Sequence, residues 1–247
     1  MKVTDLPPGA IGHDGAALMD GAAELAGTAL VLARRFATGA TLWCVAPGAS
    51  HHARHVAVEF VHPVIVGKRS LPAMALEDGD DQLGTARLLV RPGDVLLAIG
   101  SADDPAVARL LRRGGAWGVE TILLAVGAAP SGPSAASADH VLWVGGSDDG
   151  ALLAYHLLWE LTHVVFEHPG LLLAPPPDCT DDDACITCSD EGRVVEVRSV
   201  TDGHTAVALA GGRPEQVDVS VVDDVAPGDL LLVHAGVALT IVEEDDR

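Results

Sequence analysis

Aromatic side chains make up only 3% of this 247-residue chain, although 49% of it is hydrophobic, so any core must be packed from alanine, valine and leucine. Basic residues are scarce as well. Fifteen Lys and Arg face 35 Asp and Glu, a formal charge of −20. The deficit runs along the whole chain: residues 185–247 hold 13 acids against 4 arginines, a net of −9, and the first 184 residues carry −11. Such a field repels phosphate backbones and anionic bilayers, which makes nucleic acid and membrane surfaces poor partners and keeps the chain in solution. No window of about 18 uncharged apolar residues exists, so no transmembrane helix is expected. The N-terminus lacks the basic, apolar, small-residue order of a secretory leader, and a cytoplasmic location is expected. Four cysteines are too few for a disulfide framework at this size. Three of them, Cys179, Cys185 and Cys188, fall within ten positions, a clustering that in a reducing compartment points to a metal or redox site.

What is present is an alternation of elements. Apolar positions at Ala17, Leu18, Ala22, Leu25, Ala26, Ala29, Leu30 and Ala33 recur at about 3.6 residues and predict a helix over 14–37. Residues 40–46 form a short apolar run between Gly39 and Pro47, a buried strand. Helices are expected over 51–60, 81–89, 106–113 (stopped by Gly114-Gly115) and 150–168. Strands are expected over 64–66, 95–99, 121–126 and 141–144. This order predicts a doubly wound α/β sandwich with a mostly parallel sheet over residues 1–173, with any ligand site beyond the carboxyl ends of the strands. Ala174-Pro-Pro-Pro-Asp and Asp181-Asp-Asp break the pattern, and 174–184 reads as a stiff, charged linker. Beyond it, short runs at 194–200, 205–210, 216–221, 230–233 and 237–242 predict a small all-β barrel over 185–247.

Gly39-Ala-Thr-Leu-Trp-Cys-Val-Ala-Pro-Gly-Ala-Ser50, His55-Val-Ala-Val-Glu59-Phe and Arg91-Pro-Gly-Asp-Val-Leu-Leu-Ala-Ile-Gly-Ser101 resemble the sugar-isomerase (SIS) domains, and among them the phosphoheptose isomerases, over roughly residues 12–170. The resemblance implies ligand-binding serines at Ser50 and Ser101. It also implies an acid–base pair at Glu59 and His156, and a divalent metal pocket, zinc or another ion, from His55, Glu59, His156 and Asp148; Cys179, six before Cys185, is a further metal-ligand candidate beside the Cys185–Cys188 pair. His55 and Glu59 are four apart and share one helical face. His51 and His52 read as solvated, and His163 and His168 as surface or interface residues. Two departures bear on phosphate. Pro47 removes a backbone N–H from the first loop, and Asp103 and Asp104 place carboxylates in the second, where two like charges at about 4 Å cost about 1 kcal/mol even in water. The expectation is a retained fold and metal pocket without phosphosugar turnover. SIS domains pair through helices, so a homo-oligomer is expected.

Cys185-Ile-Thr-Cys188-Ser-Asp-Glu and Pro227-Gly-Asp-Leu-Leu-Leu-Val-His234-Ala-Gly-Val-Ala-Leu239 resemble the HypC/HupF hydrogenase-assembly chaperones. That resemblance implies an iron centre of Fe(CN)2CO type carried by Cys185, with Cys188 and His234 beside it. It implies two partners, the [NiFe]-hydrogenase large-subunit precursor and the scaffold protein on which the centre is built. A histidine in an alternating strand equally well points outward. The expected function is hydrogenase maturation; the alternatives are an isomerase acting on a sedoheptulose 7-phosphate-like substrate, and a SIS-type ligand sensor.

Overall fold

The computed structural model describes residues 21–77, 79, 81–127, 132–146, 148–173 and 192–242, with only the backbone described at Asp148. Leu42–Val45 (β1) has all four residues buried and forms the centre of the first half together with Val95–Gly100 (β3). Ala73–Ala75 (β2) flanks β1, and Glu120–Ala125 (β4) and His140–Trp143 (β5) extend the sheet beyond β3. The order is β2-β1-β3-β4-β5 and every pairing is parallel. Strands of this kind are covered on both sides, which is why they read as continuous apolar runs.

Helices Ala22–Ala37 (α1), Ser50–Val61 (α2) and Asp148–Glu167 (α5) cover one face, where Leu32, Phe60, Tyr155 and Leu158 pack on Leu42, Leu97 and Leu124. Gln82–Leu89 (α3) and Pro105–Ala116 (α4) cover the other, with Ala86, Val107 and Leu111 on Leu96, Ala98 and Leu123. At the amino-terminal edge, buried Asp94 accepts hydrogen bonds from Thr41 N (2.8 Å), Arg91 N (2.9 Å) and Trp43 Nε1 (3.0 Å), tying β1 to β3.

Three expectations need correction. Residues 64–66 are not a strand: Val64 and Val66 are 82% and 101% exposed, and the strand beside β1 is Ala73–Ala75 instead. Its register follows Pro72, whose carbonyl accepts from Leu42 N, rather than any β-branched run. Helix α4 runs through Gly114 and Gly115 to Ala116. A Cβ on Gly114 would meet Thr121 Cγ2 at 3.1 Å, so the glycine lets the helix lie close on β4, and the turn is made at Gly118, at φ +79°. The third barrel strand spans Arg213–Asp218 rather than 216–221, because the positive-φ pair Gly211-Gly212 makes a tight hairpin directly before it.

The second half is a closed five-stranded barrel of Arg193–Val200 (β6), Thr205–Ala210 (β7), Arg213–Asp218 (β8), Leu230–His234 (β9) and Val237–Ile241 (β10), in the order β10-β8-β7-β6-β9. Val195, Val197, Ala206, Ala208, Val217, Leu231 and Val233 fill its interior. Closure removes the free edges that a lone sheet of this size would expose.

The barrel is seated on the α3–α4 side of the sandwich. Glu196, only 4% exposed, points out of the barrel from β6 and accepts from Arg87 Nε (3.2 Å) and from the Trp117 indole. Arg113 stands 3.8 Å from it, and Arg87 lies over the Trp117 ring, 5.3 Å from its centre. Arg113 Nη1 also donates to Gly228 O at 2.9 Å, and Gly212 N donates to Ala116 O at 3.1 Å. At Gly118 and Gly211 the two backbones meet: a Cβ on Gly118 would stand 2.4 Å from Gly211 O.

Glu120, at the start of β4, accepts from His140 Nε2 at 2.7 Å and from the Arg35 guanidinium. The His140 hydrogen bond, then Arg35, outweigh burial and hold Glu120 at about 2, and the same pair raises His140. A carboxyl lowered on folding stabilises the fold above its unfolded value, near 4.3, and that contribution fades as pH falls toward 2. His140 acts oppositely, contributing below about 6.5 and losing that contribution as pH rises through its raised value. Urea unfolding of Glu120→Gln against the parent should therefore show a stability gap near pH 5 that closes toward pH 2; a gap constant with pH would refute the assignment.

Candidate functional site

The strand order reverses at β1 and β3, since β2 lies to one side and β4 and β5 to the other. A parallel sheet opens a crevice at such a switch point, beyond the carboxyl ends of its strands. The two loops singled out in the sequence border it. After β1, the chain turns through Gly48 at φ +72°, and Ser50 opens α2 half-buried, with no side-chain cap at Ala49. After β3, exposed Ser101 accepts from Asp103 N at 3.2 Å. Asp104 caps α4, its Oδ1 taking Ala106 N (2.9 Å) and Val107 N (3.3 Å), with Pro105 in the first helical position. The acid at 104 therefore has a local structural task. Ser134 N donates to Ala102 O and its hydroxyl to Asp104 O, which pins the 132–134 segment onto this loop.

One turn further into α2, His55 and Glu59 lie side by side, with Nε2 to Oε1 at 3.3 Å. His156 comes from the middle of α5, its Nε2 3.5 Å from the same Glu59 oxygen. One ligand atom from each of the three falls within 4.8 Å of the others. Two imidazoles and one carboxylate on two helices form a three-donor set with open positions, the chemistry of a zinc or similar divalent site that keeps room for water or a ligand. All three are partly open to solvent, Glu59 least, with 20% of its side chain exposed.

Reasoning from the sequence missed Tyr155. It is 1% exposed, its hydroxyl lies 3.1 Å from His55 Nδ1 and 3.5 Å from His52 Nδ1, and its ring packs edge-on to His55 and His156. If Nδ1–H donates to the tyrosine oxygen, Nε2 is left as a lone pair toward Glu59 and His156, the tautomer a metal requires. The available signal was that this is the chain's one tyrosine, next to His156. His52 is not solvated as expected but buried beneath Tyr155, whereas His51 is exposed. His163 is likewise not at the surface: it is 2% exposed, with its ring nitrogens 2.9 Å from Trp159 O and 3.0 Å from Arg69 O. Asp148 begins α5 eight residues before His156, about 12 Å along the helix axis, and its side chain lies outside the described residues.

In the barrel, His234 ends β9 half-buried, and a two-residue turn at Ala235 (φ 49°) and Gly236 (φ 83°) follows it. Arg193 pairs with Val233, so His234 sits at the end of the barrel where the chain enters at Gly192. Cys179, Cys185 and Cys188 lie outside the described residues, as does the linker at 174–184. Cys44, which is described, is fully buried in β1, and burial raises its thiol far above the ordinary range, so it is no ligand or nucleophile. The triad on α2 and α5 and the barrel on α3 and α4 occupy opposite faces of the sheet.

Residues 191–247 match the model of the HupF/HypC family. Among solved structures, the chain is similar to a phosphoheptose isomerase from Francisella tularensis, at 20% identity and TM-score 0.52 over 60% of this chain and 92% of that one. It is similar also to the phosphoheptose isomerase of Neisseria gonorrhoeae, at 19% identity and TM-score 0.51 over 62% of this chain and 90% of that one. None of the curated proteins matches. The first half thus has the fold of those isomerases, and the barrel is the part of the chain that matches the HupF/HypC model. Among the described residues no helix is long and apolar enough to cross a membrane.

Proposed function

We propose that this chain is a maturation factor for [NiFe]-hydrogenase, working in the cytoplasm, whose barrel carries an iron centre to the large-subunit precursor. The observation that carries this reading is the HupF/HypC match over the closed barrel, with His234 at the end where the chain enters at Gly192. Cys185 is the carrying ligand, with Cys188 and His234 beside it. The cargo is an Fe(CN)2CO-type centre received from the assembly scaffold. Thiolates suit iron, and the affinity rests on their deprotonation.

The test is genetic and spectroscopic. Protein purified without oxygen from cells making the assembly machinery should hold iron and show CO and cyanide infrared bands. Cys185→Ala should lose both, and a strain carrying it should lose hydrogenase activity by at least about tenfold, a loss of the cargo rather than of the fold. Normal maturation in that strain would end the proposal.

A second reading concerns the α/β half, and the His55–Glu59–His156 triad beside the switch-point crevice favours it. In it, a divalent metal and a small ligand occupy this half, with Glu59 and His156 as base and acid, and Ser50 and Ser101 on the ligand. Turnover of sedoheptulose 7-phosphate, absent from His156→Ala, would establish it as an isomerase; a saturable ligand without turnover would make it a sensor. The surface around the triad supports a homo-oligomer: Val58 is 55%, Leu153 42% and Leu157 36% exposed, and they flank Glu59 and His156 on α2 and α5. The barrel occupies the opposite face, so pairing through these helices leaves it clear.

A further inference from the structure

Where the barrel meets the sandwich there is a cleft of about 480 Å³, on the far side of the sheet edge from the switch-point crevice. One wall is Arg35, Glu120 and Asp139, at the amino-terminal edge of β4 and β5; the other is Gly211, Gly212 and Arg213, from the β7–β8 hairpin. Neither half encloses it alone. We propose that this cleft binds a small hydroxylated oxyanion, a sugar acid or a phosphate ester, which bridges the two halves.

The donors and acceptors that line the cleft select that class. The Arg213 side chain makes no hydrogen bond or ion pair among the described residues, in a chain with 15 basic residues against 35 acids. Arg35 spends Nε and Nη2 on Glu120, which leaves Nη1 open. Two guanidinium groups from opposite walls suit one carboxylate or phosphate, whose oxygens accept from both. Glu120 is neutralised locally by Arg35 and His140, so it does not repel an anion as an isolated carboxylate would. Asp139 holds Thr121 N (2.8 Å) and Thr121 Oγ1 (2.7 Å) through Oδ2, and its Oδ1 remains as an acceptor for a ligand hydroxyl. The hairpin contributes two glycines, so backbone rather than side chain lines that wall, and a ligand can approach closely.

The cleft shares no residue with the metal triad, and it is tested apart from it. The full chain is titrated calorimetrically with gluconate and, separately, with glycerol 3-phosphate. Saturable binding of gluconate alone assigns a carboxylate ligand, of glycerol 3-phosphate alone a phosphate ester, and of both a general oxyanion site. In each case Arg213→Ala, an exposed substitution, should weaken binding about tenfold, the loss of one charge-assisted contact, while His156→Ala leaves it unchanged. If neither probe binds saturably, or binding survives Arg213→Ala and falls instead with His156→Ala, the proposal is wrong.

Discussion

Glu196→Ala is expected to split the thermal unfolding of this protein into two steps, with the barrel melting first. Glu196 is a buried carboxylate that leaves the barrel and enters a pocket made by the other half, where Arg87, Arg113 and the Trp117 indole meet it. Removing it deprives the indole of its acceptor and leaves Arg87 and Arg113 without their shared partner. Breaking a buried pair from one side costs about 3–5 kcal/mol, and the low end applies here because Arg87 keeps 30% of its side chain in water. For a module as small as this barrel, about 3 kcal/mol moves its midpoint down by roughly 10 °C or more. Glu196→Gln keeps an acceptor for Trp117 and should fall between the two. Scanning calorimetry gives the answer, and a single unchanged transition in Glu196→Ala would show that Glu196 does not hold the barrel to the sandwich.

The second large effect is on metal. In a variant with Cys179, Cys185 and Cys188 changed to serine, about one equivalent of zinc should remain, held by His55, Glu59 and His156. Adding His156→Ala removes one of three donors and should abolish measurable binding. Tyr155→Phe keeps every metal ligand yet should weaken zinc by about 10–100-fold, because it removes the hydroxyl that hydrogen-bonds His55 Nδ1 and orients the ring. Competition with a chromophoric chelator measures both. If the serine variant binds no zinc, the triad is a hydrogen-bonded relic; if Tyr155→Phe binds as tightly as its parent, His55 is oriented by something else.

These two variants also separate the halves. The triad and the barrel lie on opposite faces of one sheet. Where the barrel carries iron as proposed, loss of zinc in His156→Ala should leave that iron in place. A joint loss would mean that the two metals share ligands.

Much of the architecture was legible in the chain. Apolar runs at 40–46, 95–99 and 121–126 announced strands covered on both faces, and the glycine-, proline- and aspartate-separated runs from 194 onward announced a barrel. His55 and Glu59 could be paired from spacing alone, since four residues bring them to one helical face. His156 was reached through a resemblance, because no periodicity links position 55 to position 156. The errors share a cause. Val64–Val66 has strand composition but no partner strand, and Gly114-Gly115 has the composition of a helix stop, yet the helix uses its missing side chain to approach Thr121. Histidines 52 and 163 were placed in solvent by their type, whereas the fold buries them beside Tyr155 and Trp159.

By itself, then, the sequence determined the two-part organisation, the parallel sheet, the barrel and the excess of acidic charge, because burial period and charge are properties of neighbouring residues. The tertiary structure alone decided that Tyr155 sits behind the triad, that Glu196 locks the barrel to α3 and α4, and that Arg35 and Arg213 face one cleft. Each of those joins residues 79 to 178 positions apart or depends on which face of the sheet a helix covers, and such distances are set by packing, not by local pattern.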